Sequence, residues 1–219
     1  GMTLLNHSAS ELLGFPILDL NVDRMQGVNR WVKNTEDRVL GFLFLLVALP
    51  VIALIALVVK LESPGPVLFK QKRNGFDGKP FTIYKFRTMQ VHQEPNGQLT
   101  QARKHDERFT RIGRFLRRSS LDELPQLVNV LQGRMSLVGP RPHAIEHNEY
   151  FSEHIEGYLR RHRVKPGITG WAQVNDLRGE TQTIEEMSRR VKHDLYYIEH
   201  WSLWFDLRII LTTILKMFF

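Results

Sequence analysis

The chain has 219 residues, with 30 Lys plus Arg against 23 Asp plus Glu, nine His and no Cys, for a formal net charge of +7. That length fits one catalytic-size domain with or without an appendage, and apolar and charged fractions of 42% and 24% exclude wholesale disorder and fibrous repeats. Without cysteine there is no disulfide scaffold, thiolate nucleophile, iron–sulfur cluster or Cys-based zinc site.

Gly1-Met2 reads as an expression remnant and is set aside. The first strong element is 39–59, a run of 21 residues with no charge, amide or hydroxyl. About 20 apolar residues span a bilayer, so this segment is predicted to be a membrane-inserted helix. Soluble core helices rarely run so long without a polar face, and the segment begins too late and runs too long for a cleaved signal. Pro50 stands 11 residues into it with nine after, where a helix-interior proline removes a hydrogen bond and favours a kink. Four cations precede the segment (Arg24, Arg30, Lys33, Arg38) and five follow (Lys60, Lys70, Lys72, Arg73, Lys79). So little asymmetry gives no orientation for a spanning helix. It suits a helix that enters, bends at Pro50 and returns to the same face, while a kinked span stays open.

From Lys60 to Ser120 there are 14 Lys or Arg and five Asp or Glu. Such a surface holds anionic lipid and concentrates anionic substrates. Nucleic acid is the rival partner, but the chain has no helix-turn-helix signature, RNP-like strand or zinc-finger spacing. Within this region 66–71 and 80–89 read as two strands of a hairpin, joined by a turn carrying Asn74-Gly75 and Asp77-Gly78. Strand alternation puts Phe81, Ile83, Lys85 and Arg87 on one face. Two cations there want either solvent or an anion.

Arg114 to Pro142 brings the acids Asp122 and Glu123 into the basic stretch. Ser120-x-x-Glu123 matches a capping box, and Pro125 fits a helix start. The alternative is chemical: one carboxylate attacks phosphorus while its neighbour holds a divalent metal, with Arg117 and Arg141 on the phosphates. Gly139-Pro140-Arg141-Pro142 is a rigid turn suited to a fixed clamp, and Pro166-Gly167-Ile168-Thr169-Gly170 is a second turn. His143-x-x-Glu146-His147 fits a zinc-protease pattern with no third ligand, so zinc is rejected. At the C-terminus, 201–219 joins aromatic residues to an apolar run interrupted by Asp206, Arg208 and Lys216. It is predicted to be an amphipathic helix, lying in the headgroup plane or on the protein's own core.

These residues together resemble the bacterial sugar transferases, the polyprenyl-phosphate hexose-1-phosphate transferases. The likeness runs from about residue 34 to the C-terminus. It rests on the apolar segment with its proline, YKFRTM (84–89), SLDELPQLVNVLQGRMSLVGPRP (120–142), VKPGITGWAQVN (164–175) and DLYYIEHWSLWFDL (194–207).

The resemblance implies an α+β, mostly helical fold with a re-entrant helix broken at Pro50, a small β-hairpin and interfacial amphipathic helices. It implies a catalytic domain over 34–219 on the cytoplasmic face of the bacterial inner membrane, with 1–33 the tail of an upstream domain in a shortened or naturally short form. The activity implied is magnesium-dependent transfer of a sugar-1-phosphate from a UDP-sugar to undecaprenyl phosphate. UMP is released and surface-glycan (exopolysaccharide) synthesis begins. Asp122 matches the nucleophile and Glu123 the magnesium-binding neighbour, and Lys85, Arg117 and Arg141 match phosphate-binding cations. Arg87, on the same strand face as Lys85, is counted with them. Arg178-Gly179-Glu180-Thr181 resembles the glucose-transferring branch, so glucose-1-phosphate is the expected cargo. A homodimer is one assembly option. The alternative from another class is a non-catalytic anchor or scaffold on anionic lipid.

Overall fold

The computed structural model describes residues 9–12, 15–18, 24–25, 27–90, 108–143, 145–179 and 183–218. Strands β1 (Ala9–Leu12) and β2 (Phe15–Leu18) pair antiparallel ahead of helix α1 (Val28–Glu62). The long strands β3 (Leu68–Asn74) and β4 (Pro80–Phe86) form an antiparallel hairpin with Phe69 opposite Lys85. There follow α2 (Arg111–Arg118), a 3-10 turn at Leu121–Glu123, α3 (Gln126–Leu131) and β5 (Ser136–Val138). Next come α4 (Ile145–His154), a 3-10 turn at Tyr158–Arg163, β6 (Gly167–Thr169), α5 (Trp171–Val174), α6 (Ile184–His200) and α7 (Leu203–Phe218). The described fold is mostly helical with small sheets, as the resemblance implied. Its β5–β6 pair is parallel, a feature the two turn motifs did not announce.

Helix α1 is long and apolar enough to cross a membrane. It differs from expectation in two ways. It begins at Val28, well before the apolar run, and it continues through Pro50 without interruption. One missing hydrogen bond does not end a helix whose packing continues on both sides of it. The packed stripe is Lys33, Asp37 and Gly41, then Phe44, Leu45 and Ala48, then Ile52, Ile55, Ala56 and Val59. Gly41 sits where an added Cβ would meet Val130 Cγ1 at 3.1 Å, so α3 packs closely there. Beyond Pro50, Ile55 and Val59 share a core with Phe86 and Leu116. The opposite face leaves Phe42, Leu43, Leu46, Val47, Leu54 and Leu57 exposed.

Both ends of α1 are tied to the same body. Near its start Lys33 Nζ lies 2.6 Å from Asp206 Oδ2 and 3.0 Å from Asp37 Oδ1. Asp206 is fully buried and also accepts from Tyr197 Oη at 2.7 Å and Trp201 Nε1 at 3.0 Å. At its end, Arg87 from β4 donates to the carbonyls of Pro64 (2.5 Å) and Ser63 (2.7 Å) and to Ser63 Oγ (2.9 Å). Those carbonyls follow the last turn of α1, where a guanidinium satisfies acceptors that the helix leaves unpaired.

Helix α7 takes the second of its expected placements, on the protein's own core, with one face left exposed. Ile209 and Asp206 face the core, while Leu203, Trp204, Leu207, Leu211, Ile214 and Leu215 remain exposed.

Candidate active site

The acids Asp122 and Glu123 fall in the 3-10 turn between α2 and α3. The capping alternative fails there: Ser120 adopts a left-handed conformation (φ 58°) and its side chain caps nothing. Glu123 turns away from the helix start and toward β4. Its Oε1 accepts from Lys85 Nζ at 2.7 Å and Arg141 Nη2 at 2.6 Å, and Oε2 accepts from Arg141 Nη1 at 3.1 Å. Burial alone would raise this carboxyl, but Arg141 and Lys85 outweigh it and hold it far below the usual carboxylate range.

Asp122 is 6% exposed and makes no hydrogen bond or ion pair among the described residues. Burial, helped by the negative charge of Glu123, pushes its carboxyl up to about 6 against the cations Lys85, Arg117 and Arg141. The two neighbours thus divide into a locked anion and a free one.

Three constraints fix the cations. Asn129, fully buried on α3, donates Nδ2 to Thr82 O at 2.8 Å and accepts from the Tyr84 backbone N at 3.1 Å. This clips β4 to α3 and sets Lys85 over Glu123. Arg141 follows β5 directly, and β5 is pinned to β6 by Gly139 N to Thr169 O and Gly167 N to Pro140 O, both 2.9 Å. A Cβ at Gly167 or Gly170 would run into the backbone of Gly139, so the two Gly-rich turns are backbone-on-backbone. Arg161 completes the support, donating Nη2 to Arg141 O at 2.7 Å.

Of the residues expected from sequence, Lys85, Asp122, Glu123 and Arg141 come together. Arg117 stands beside them, its guanidinium 4.7 Å above the Phe109 ring and its charge felt by Asp122. Arg87 does not join them. It is buried against the end of α1, where both of its terminal nitrogens donate to Ser63 or Pro64 while Nε has no partner. Its expected phosphate role is therefore corrected to a helix-end clamp. Pro50 lies within α1, just ahead of the Ile52 and Ile55 that pack toward Phe86 and Leu116, and is no neighbour in sequence of the acids of the site. The Glu146 and His147 side chains and residues 180–182 lie outside the described residues.

Sequence reasoning missed Arg161 and Arg190. The available signal was helical spacing: Met187, Val191, Asp194, Tyr197 and Ile198 form the buried face of α6, and Arg190 falls on it. A charge on an apolar face marks a partner to be found.

A magnesium ion takes oxygen ligands, often one or two carboxylates with substrate phosphates supplying the rest. The described residues contain no group of three or more His, Cys, Asp or Glu able to hold a metal by themselves. The unpartnered Asp122 and the singly engaged Oε2 of Glu123 fit such a substrate-carried ion.

The description "Bacterial sugar transferase" belongs to the family model matching residues 28–219. The chain is 54% identical over 215 residues to an Escherichia coli (strain K12) UDP-glucose:undecaprenyl-phosphate glucose-1-phosphate transferase, covering 98% of this chain and 46% of that protein. A Klebsiella pneumoniae protein of the same description is 49% identical over the same shares of the two chains. An Aeromonas hydrophila UDP-N-acetylgalactosamine-undecaprenyl-phosphate N-acetylgalactosaminephosphotransferase is 44% identical, over 75% of this chain and 38% of that one. The chain spans about half the length of the curated relatives it matches. With a match over nearly all of α1 to α7, it belongs to the bacterial sugar transferase family.

Proposed function

We propose that residues 34–219 transfer glucose-1-phosphate from UDP-glucose to undecaprenyl phosphate, releasing UMP, by way of a sugar-bearing acyl phosphate on Asp122. The single observation carrying this reading is the unpartnered, buried carboxylate of Asp122 beside a Glu123 locked by two cations. A nucleophile needs a free lone pair, and burial leaves this one less well solvated. Asp122 attacks the sugar-bearing phosphorus, the P–O bond to UMP breaks, and UMP takes the electron pair. The lipid phosphate then attacks the same phosphorus and Asp122 leaves. Lys85, Arg117 and Arg141 offset the charge gathered on phosphorus. Glu123 holds Lys85 and Arg141 in place between turnovers. Magnesium, held by Asp122 and Glu123 with the diphosphate, would supply further neutralisation of that charge. The choice of glucose is supported by the descriptions of the relatives in Escherichia coli and Klebsiella pneumoniae.

Attachment of both ends of α1 to one folded body, through Asp206 and through Arg87, supports a helix that enters and leaves on one membrane face. That face is the cytoplasmic one, where UDP-sugars are made. The exposed apolar residues of α1 and α7 would then meet lipid together.

The test is UMP release from a panel of UDP-sugars, with and without undecaprenyl phosphate and magnesium. Release that requires Asp122 and is fastest with UDP-glucose supports the proposal. Salt-sensitive binding to any acidic liposome with no UMP release would instead favour a lipid anchor.

A further inference from the structure

Behind Arg141, four guanidinium groups bear on one imidazole. Burial, and then Arg161, Arg190, Arg141 and Arg73, push His143 well below the ordinary histidine range, so its ring is neutral. A neutral ring has one acceptor nitrogen and one N–H. Arg161 Nη1 reaches Nδ1 at 2.8 Å, with Tyr158 Oη 3.0 Å from the same atom, which leaves the proton on Nε2. Arg190 Nη1 stands 3.4 Å from that Nε2. Two donors therefore face each other with no acceptor between them.

Arg190 is 4% exposed. Its Nη2 donates to Gly179 O at 3.0 Å, and its Nε has no partner. No carboxylate lies within ion-pair distance of it among the described residues, since Asp194 pairs with Arg161 at 2.8 Å and Glu123 pairs with Arg141. Burial, and then Arg141 and Arg161, bring it down to about 10. Asp194 and Glu186 act on it only through space, and a buried cation that makes no ion pair among the described residues is costly unless an anion arrives.

We propose that Arg190 and the Nε2–H of His143 form a second phosphate subsite, taken first by the departing UMP and then by the phosphate of the lipid acceptor. The inference rests on the transfer reaction proposed above. In-line displacement puts nucleophile and leaving group on opposite faces of phosphorus. UMP therefore departs from the position that the acceptor phosphate must later occupy to expel Asp122. Both are phosphate monoesters, so one set of donors serves both half-reactions. Arg141 links the two subsites: it pairs with Glu123 next to Asp122, and its carbonyl accepts from the same Arg161 that holds His143. Arg161 is a positioning residue: it fixes the His143 tautomer and the Arg141 backbone.

The experiment compares the wild-type chain with Arg190→Gln and Arg190→Lys in lipid nanodiscs. UMP affinity is measured by calorimetry, and KM is measured for a polyprenyl phosphate. Loss of a charge-assisted contact should weaken UMP and raise the acceptor KM by roughly tenfold or more each. Lysine should restore part of both, and the glutamine variant should unfold no earlier than wild type. Undiminished UMP affinity in Arg190→Gln, or a change confined to one of the two ligands, overturns the shared subsite. So does equal loss with earlier unfolding that lysine does not rescue. If the wild type releases UMP from no UDP-sugar, it is the transfer reading that fails. Normal turnover with unchanged UMP binding in Arg190→Gln removes this subsite alone.

Discussion

The carboxylates of Asp122 and Glu123, adjacent in the chain, are shifted in opposite directions by their surroundings, Asp122 up and Glu123 down. Glu123 accepts three hydrogen bonds from Lys85 and Arg141, whereas Asp122 has none. A structural ion pair uses the acid it neutralises. Here the second acid is left over, buried and ready.

This surplus has a cost that can be measured. The folded value of Asp122, near 6, lies above its ordinary 3.8. The stability contributed by its neutral form is therefore fully present below about pH 4 and lost as pH rises through about 6. Asp122→Asn should abolish UMP release and labelling by UDP-sugar. The same variant should be more stable than wild type at pH 8, by up to about 3 kcal/mol, with the difference closing at pH 4. Urea unfolding at the two pH values checks it, and a less stable variant at pH 8 would contradict the burial argument.

Activity should follow the same titration. Attack requires ionised Asp122, so the rate of UMP release should rise with pH through about 6. In Glu123→Gln the neighbouring negative charge is gone and Lys85 and Arg141 are released, both of which lower the Asp122 carboxyl. Its acid limb should move to lower pH even though its maximum rate falls. A pH profile of single-turnover UMP release reads both effects.

Arg87 should behave as structure, not as catalyst. Arg87→Met leaves the Ser63 and Pro64 carbonyls without their donor and should destabilise the protein by about 2–4 kcal/mol. Activity per folded molecule should stay near wild type. A large loss of turnover with an unchanged melting temperature would return Arg87 to the phosphate site.

Topology can be read with thiol chemistry, because the chain has no cysteine of its own. Asn29→Cys and Glu62→Cys, at the two ends of α1, should both react with a membrane-impermeant maleimide in inverted vesicles and neither in intact spheroplasts. Labelling from opposite sides would establish a simple span.

Much of this was legible in the sequence, and for identifiable reasons. The apolar run, the hairpin turns and the Asp122-Glu123 pair are local signals whose chemistry survives folding. The continuity of α1 through Pro50 was not legible, because tertiary packing along Gly41 and Val59 overrides the local breaker. Lys85 and Arg87 look equivalent on one strand face, and only the arrival of Ser63 at the strand's end separates them. Likewise the charge at Asp206, which reads in the sequence only as an interruption of an apolar run, is the counterion of Lys33 some 170 positions upstream in a buried pair.

The double attachment of α1 has a kinetic corollary. A body held at both ends of its greasy rod has no lever arm on which to swing toward a substrate. On the one-face insertion proposed above, that attachment would set the altitude of Asp122 above the acyl chains. The proposed isoprenoid carrier would then come to it sideways, in a planar search governed by molecules per unit of membrane area rather than by bulk concentration.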